Sequence, residues 1–167
     1  MQSKAMLGLA LAAIAALPAA ANKAAAQTSV APTTVADVAF VEGAIETSLS
    51  GAKGDPVAGA AIMSDRASGN CVACHAIATM PDVAFQGNIG PALDGAGSRW
   101  SEAQLRGIVS NAKMTFEDTV MPAFYKTTGY ERPGDGYTGK APTADLPPIL
   151  DAQQVEDVTA YLVTLKE

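Results

Sequence analysis

The sequence predicts a helical fold, on three observations. Asp55-Pro56, Ser101-Glu102-Ala103-Gln104 and Asp151-Ala152-Gln153-Gln154 each read as a helix start, and each leads into apolar residues at helical spacing. Asp is a good N-cap, and Pro suits the first helical position because its missing N–H would be unpaired there anyway. The first helix is expected to run through Val57, Gly59, Ile62 and Met63 towards Arg66, with Ser68-Gly69 ending it. Gly59 inside it costs ~1 kcal/mol against Ala, so another backbone is expected to approach closely there. The Ser101 and Asp151 segments are capping boxes, in which the cap side chain and a Gln three residues on exchange hydrogen bonds with the backbone. Leu105, Ile108 and Val109 form the apolar face of the middle helix. Val155, Val158, Leu162 and Leu165, with Tyr161 beside them, form that of the last.

A chain of 167 residues suits one domain. With 49% hydrophobic and 17% charged residues it does not have the composition of a disordered tail. A net charge of -6 argues against nucleic-acid binding, which needs basic residues to neutralise phosphates. Two cysteines are too few for a disulfide-stapled scaffold.

Residues 1–26 read as a secretory signal peptide. Lys4 precedes an uncharged stretch, residues 5–22, centred on Leu7, Leu9, Leu11, Ile14 and Leu17. Small residues then offer cleavage after Ala26 or Ala21. A retained membrane anchor is the alternative; Pro18 and the lack of a basic stop-transfer cluster oppose it. The mature chain is therefore expected to be exported to the periplasm, with no membrane span. Residues 27–50 read as an N-terminal arm, and residues 51–167 as the main domain. In the arm, Val35, Val38, Val41, Ile45 and Leu49 lie close to helical spacing. That predicts either a surface helix on the domain or an arm that packs on a partner.

The chemistry concentrates in Cys71-Val72-Ala73-Cys74-His75. A redox C-x-x-C would need a thioredoxin-like βαβ context, which the surrounding pattern lacks. A structural zinc needs four ligands, and the chain has two Cys and one His in all. The remaining reading is C-x-x-C-H, covalent attachment of one c-type haem. Two thiols three positions apart share one side of a helical turn and can add to the two vinyl groups of one haem. The adjacent His75 then reaches the iron.

His75 is the only histidine, so the sixth iron ligand must be another residue type. Met is the usual alternative in such proteins and raises the potential. Met80 follows His75 by five residues, a reach of ~17 Å, too short to pass round the macrocycle to its other face. Met63 lies mid-helix and reads as core packing. Met121 is followed by Pro122, which keeps it out of the helical region and stiffens the loop presenting its sulfur. Met121 is therefore the assigned ligand, with Met114 as fallback.

Between these ligands, residues 87–95 form a Gly/Pro-rich loop. A backbone carbonyl in it could accept from the second ring N–H of His75, as metal-bound histidines require. Trp100 is either core or a donor to a haem propionate through its indole N–H. Arg99 and Arg106 are either propionate partners or solvated surface residues. Residues 127–148 carry a Gly/Pro-rich insert of the length usual for functional or disordered loops.

Together the CVACH motif, the NIGPALDG loop, the Met-Pro loop and the C-terminal amphipathic helix resemble a monohaem class I cytochrome c over residues 51–167. The resemblance implies an all-α fold, first and last helices crossing near Gly59 and Tyr161, and the Pro91 carbonyl as acceptor for His75. More finely, KGDPVAGAAIMSDRASGNCVACH, GNIGPALDGAGSRWSEAQLRGIVSNAK, VMPAFYK, GDGYTGK and LPPILDAQQVEDVTAYLVTLK are similar to the SoxX family. That similarity implies a heterodimer with a larger SoxA-type haem subunit. It implies that the complex oxidatively couples thiosulfate to a cysteine of a carrier protein, an oxidative L-cysteine S-thiosulfotransferase whose reactive cysteine lies on the larger subunit. This chain would be the electron acceptor and would pass electrons to a soluble cytochrome. Two other classes compete: an independent cytochrome shuttle to a terminal oxidase, and a haem-based sensing module.

Overall fold

The computed structural model describes residues 32–130, 140 and 146–167. The predicted signal peptide, the first residues of the arm and most of the 127–148 insert lie outside these residues. The described residues form four α-helices: α1 Pro56–Ser64, α2 Ala96–Arg99, α3 Glu102–Asn111 and α4 Ala152–Thr164. Short 3-10 turns occupy Val35–Asp37, Cys71–Ala73 and Ala112–Met114. The described residues hold no strand, only an isolated bridge between Val41 and Ala44. None of their helices is long and apolar enough to cross a membrane.

All three predicted helix starts form. The Asp55 side chain accepts from the Val57 N–H at 2.8 Å, with Pro56 in the first turn. Both capping boxes close reciprocally: Ser101 with Gln104, and Asp151 with Gln154. α1 is shorter than its sequence pattern suggests and stops at Ser64. Asp65 is extended, and its carboxylate accepts from the Ala67 N–H at 3.0 Å. That local bond offers the backbone an alternative to another helical turn.

α1 packs on α4, and glycines set the approach. A Cβ at Gly59 would overlap the Asp157 carbonyl and lie 3.0 Å from the Val158 amide nitrogen. The backbone contact expected at Gly59 is present, but it falls one helical turn before Tyr161. Leu49, Met63, Ile77, Leu150, Val155 and Val158 are buried in the core that α1, α3 and α4 enclose.

The arm does not form the helix that its spacing predicts. Beyond the Val35–Asp37 turn it is an irregular strap, reversing where Glu42 (φ 49°) and Gly43 (φ 81°) take left-handed conformations. Ile45 and Leu49 nonetheless reach the core. The described part of the arm packs on its own domain. The Ile45 N–H donates to Ala103 O at 3.0 Å, and the Tyr125 hydroxyl donates to Thr33 O at 2.6 Å.

Arg106 fastens this strap, which corrects both sequence readings of that residue. It is 4% exposed and Glu156 is 3% exposed. Arg106 Nε donates to the two Glu156 carboxylate oxygens at 2.8 and 3.0 Å. Its Nη1 donates to Ile45 O at 2.9 Å and its Nη2 to Glu102 at 2.6 Å. Glu156 also accepts from the Leu49 N–H at 2.7 Å. The pair thus satisfies two backbone groups of the arm as well as itself.

Candidate haem-attachment site

The site grows from the turn after α1. Asn70, at φ 47°, swings the chain into the Cys71–Ala73 turn. The His75 N–H then donates to Cys71 O at 3.0 Å, which puts Cys71, Cys74 and His75 on one tight turn. Both thiols are half-buried and unpaired. Burial, and to a lesser extent the neighbouring Cys74, pushes the free Cys71 thiol up to about 11.

The glycine-rich loop folds back along this turn. The Gly87 N–H donates to Val72 O at 2.8 Å, Gly90 to Cys74 O at 2.9 Å, and Leu93 to Ala76 O at 2.9 Å. A Cβ at Gly90 would lie 2.6 Å from His75 Nδ1 and 2.8 Å from Nε2, so only glycine lets the loop lie against the ring. The next residue supplies the acceptor: His75 Nδ1 lies 2.7 Å from Pro91 O. A carbonyl can only accept, so Nδ1 carries a proton, and in the neutral ring the free lone pair is then on Nε2.

The segment after His75 is held by residues that pattern reading missed. The Gln86 carboxamide accepts from the Ile77 N–H at 2.6 Å and donates to Met80 O at 2.7 Å. Asp94 accepts from the Ala78 N–H at 3.0 Å. Thr79 and Tyr161 join hydroxyls at 2.8 Å, tying this segment to α4. No spacing rule marks Gln86 and Asp94, because their partners are backbone groups placed by the fold.

The methionines separate by environment. Met63 and Met80 are buried in the core, at 1% and 8% exposure. Met114 ends a 3-10 turn and is half exposed. Met121 is partly buried against the core, on the irregular loop before Pro122. Its N–H donates to Thr119 Oγ1 at 3.2 Å, and its carbonyl accepts from Lys113 Nζ at 3.4 Å. Trp100 is partly buried and packs edge-on against Phe116, with ring centroids 5.9 Å apart. Arg99 is largely exposed and donates to Asp94 O at 2.8 Å and to Glu167 at 3.2 Å.

These residues fit a c-type haem on three counts. Two unpaired thiols share a turn, the histidine is held in the tautomer that leaves Nε2 for a metal, and apolar side chains are left exposed on the segments after the motif and before Met121. Phe85 and Ile89 on the loop after the motif, and Met114, Phe116 and Val120 on the segment before Met121, are all exposed apolar side chains. Among the described residues no group of three or more His, Cys, Asp or Glu could hold a metal ion by itself.

The family model for cytochrome c matches residues 56–166. A crystal structure of SoxXA from P. pantotrophus is similar, with 64% sequence identity and a TM-score of 0.79. The match covers 82% of this chain and 100% of the solved one. No curated protein matches.

Proposed function

The chain belongs to the cytochrome c family, as a SoxX-type subunit carrying one covalent haem c, and on that premise we propose its place in thiosulfate oxidation. It is the electron-accepting subunit of a periplasmic complex whose larger haem subunit holds the reactive cysteine. In the reaction, thiosulfate and a carrier-protein cysteine thiol form a sulfur–sulfur bond. One proton and two electrons leave, and the electrons pass singly through this chain to a soluble cytochrome.

Cys71 and Cys74 would hold the haem by thioether bonds, and His75 Nε2 and the Met121 sulfur would ligate its iron. When bound, the haem supplies a one-electron acceptor. The chain's own residues do the rest. Pro91 O fixes the His75 tautomer and plane and makes the imidazole a better donor. The Pro122 ring stiffens the loop that offers Met121. Trp100, packed on Phe116, supplies an indole N–H for a propionate. Both cysteines are consumed in attachment, so this chain has no thiol left for the sulfur chemistry.

The observation that supports this reading is the 64% identity to the solved SoxXA chain over its full length, with the 2.7 Å contact from His75 Nδ1 to Pro91 O preparing the histidine for iron. The test is isolation of the chain from native periplasm, followed by addition of thiosulfate and carrier protein. A larger haem protein should co-purify, and the mixture should reduce this chain's haem only with both additions. Reduction without any larger subunit, by a respiratory donor alone, would support the independent shuttle instead.

A further inference from the structure

Lys113 stands where α3 gives way to the loop that offers Met121. The 3-10 turn that carries it, Ala112–Met114, is anchored at its start. Ala112 is buried, and its carbonyl accepts from the Thr115 and Phe116 N–H groups at 3.1 and 2.8 Å. Phe116 in turn packs on Trp100. Beyond Phe116 the loop is exposed at Glu117, Asp118 and Val120. Among the described residues, no backbone hydrogen bond ties Val120 or Met121 back to α3. Lys113 makes that tie with its side chain. Its Nζ donates to Thr119 O at 2.8 Å and to Met121 O at 3.4 Å. The Thr119 hydroxyl accepts from the Met121 N–H at 3.2 Å, which links the two held residues to each other.

The choice of partner is informative. Glu117 lies four residues on, the spacing at which a lysine and a glutamate meet along a helix. The chain leaves the helix first, and among the described residues Lys113 forms no ion pair. An ammonium has three donors and no acceptor, so one can hold two carbonyls at once. Bonds from a charged donor are also stronger than neutral ones. We propose that Lys113 is a positioning residue for the sixth iron ligand, a proposal that rests on the assignment of Met121 given above. Its ammonium gathers the carbonyls on either side of Val120 and so fixes the bend of chain that aims the Met121 side chain. Lys113 thereby sets how readily the sulfur leaves the iron. Lys113 is itself exposed, so its replacement leaves the core intact.

The test uses the haem-loaded, oxidised chain mixed with potassium cyanide at neutral pH. The sulfur must leave the iron before cyanide takes its place, with no change of oxidation state, so the rate at saturating cyanide reads the opening of the loop. Lys113→Leu should keep the iron–sulfur charge-transfer band in the absence of cyanide. It should exchange about tenfold faster than wild type, the effect of losing both hydrogen bonds. Its urea midpoint should move by less than ~0.5 M. Lys113→Arg keeps charge and donors and should recover most of the difference. Lys126→Leu is the control: it removes the same charge on the other side of Met121, where the ammonium bonds Gly129 O at 2.8 Å, and should exchange like wild type. A rate within about twofold of wild type in Lys113→Leu overturns the proposal. So does equal acceleration in Lys126→Leu, which would make charge alone the cause. A midpoint that falls in step with the rate overturns it too, because the effect would then be a general loss of stability. If wild type shows no iron–sulfur band, the assignment of Met121 fails and this proposal with it. If the band is present and is lost in Met121→Ala, while Lys113→Leu exchanges like wild type, only the role of Lys113 fails.

Discussion

Glu156→Gln isolates the charge of the buried pair that holds the arm. The substitution keeps the side chain's shape and leaves one oxygen to accept from the Leu49 N–H, now 2.7 Å from the carboxylate. What it removes is the negative charge facing Arg106, whose side chain is 5% exposed against 3% for Glu156. The remaining partner, Glu102, is 62% exposed, and such a pair contributes only ~0–1 kcal/mol. Arg106 would then sit nearly uncompensated, at a cost of about 3–5 kcal/mol. A domain of this kind has ~5–15 kcal/mol in total, so the loss is a large fraction of it. Urea unfolding of the haem-loaded protein, followed by far-ultraviolet circular dichroism, measures it. With a slope of about 2 kcal/mol per molar, the midpoint should fall by about 2 M. Glu102→Gln is the paired control and should move it by less than ~0.5 M. Equal small shifts in both variants would refute the reasoning, because they would mean that water reaches the pair.

Three further outcomes follow from the packing. Gly59→Ala gains ~1 kcal/mol of helix propensity but drives a methyl into the Asp157 carbonyl, and overpacking of ~1–3 kcal/mol or more should win, lowering the melting temperature. A neutral or stabilising result would show that α1 and α4 can separate freely. Met121→Ala should abolish the iron–sulfur charge-transfer band with the fold intact. Met63→Ala should keep the band and lose ~2–5 kcal/mol, and Met114→Ala should keep both the band and the stability; a band that survives in Met121→Ala overturns the ligand assignment. Burial, with a smaller contribution from Asp151, raises the Tyr125 phenol above its ordinary value of 10.0. A raised acid favours its neutral form in the folded state, so this stability is present below pH 10 and is lost as pH climbs above it. Tyr125→Phe should remove that alkaline loss in pH-dependent unfolding, at a cost of ~0.5–1.5 kcal/mol near neutrality from the missing bond to Thr33 O.

The elements legible in advance were those whose cause is local. A cap and its partner lie within four residues, so Asp55-Pro56, Ser101–Gln104 and Asp151–Gln154 announce their helices without help from the fold. C-x-x-C-H is equally local, because one turn of backbone carries all three groups. Where α1 ends was less legible, since Asp65 can continue a helix or bond its own backbone.

The arm shows why the same signal can mislead. Val35, Val38, Val41, Ile45 and Leu49 repeat at helical spacing. The structure buries Ile45 and Leu49 from an irregular strap and leaves Val41 exposed at 59%. Periodicity records which residues want to be dry, not the backbone that dries them. Gly43 was the available warning: it lies in the middle of the pattern, and a Cβ there would lie 3.2 Å from Met114 O.

By itself, the sequence determined the family's single haem, the C-x-x-C-H turn and three of the helices, because single turns of chain encode each of these. Tertiary structure alone decided that Arg106 is a buried clamp, that Gly90 lies against the His75 ring, and that Gln86 and Asp94 hold the backbone behind it. The Arg106 contact joins residues that are neighbours only after α4 has closed on α3, and the others form only when the glycine-rich loop folds back along the attachment turn. A side chain's partner across 50 residues, as between Arg106 and Glu156, is set by how helices stack and is written in no local pattern.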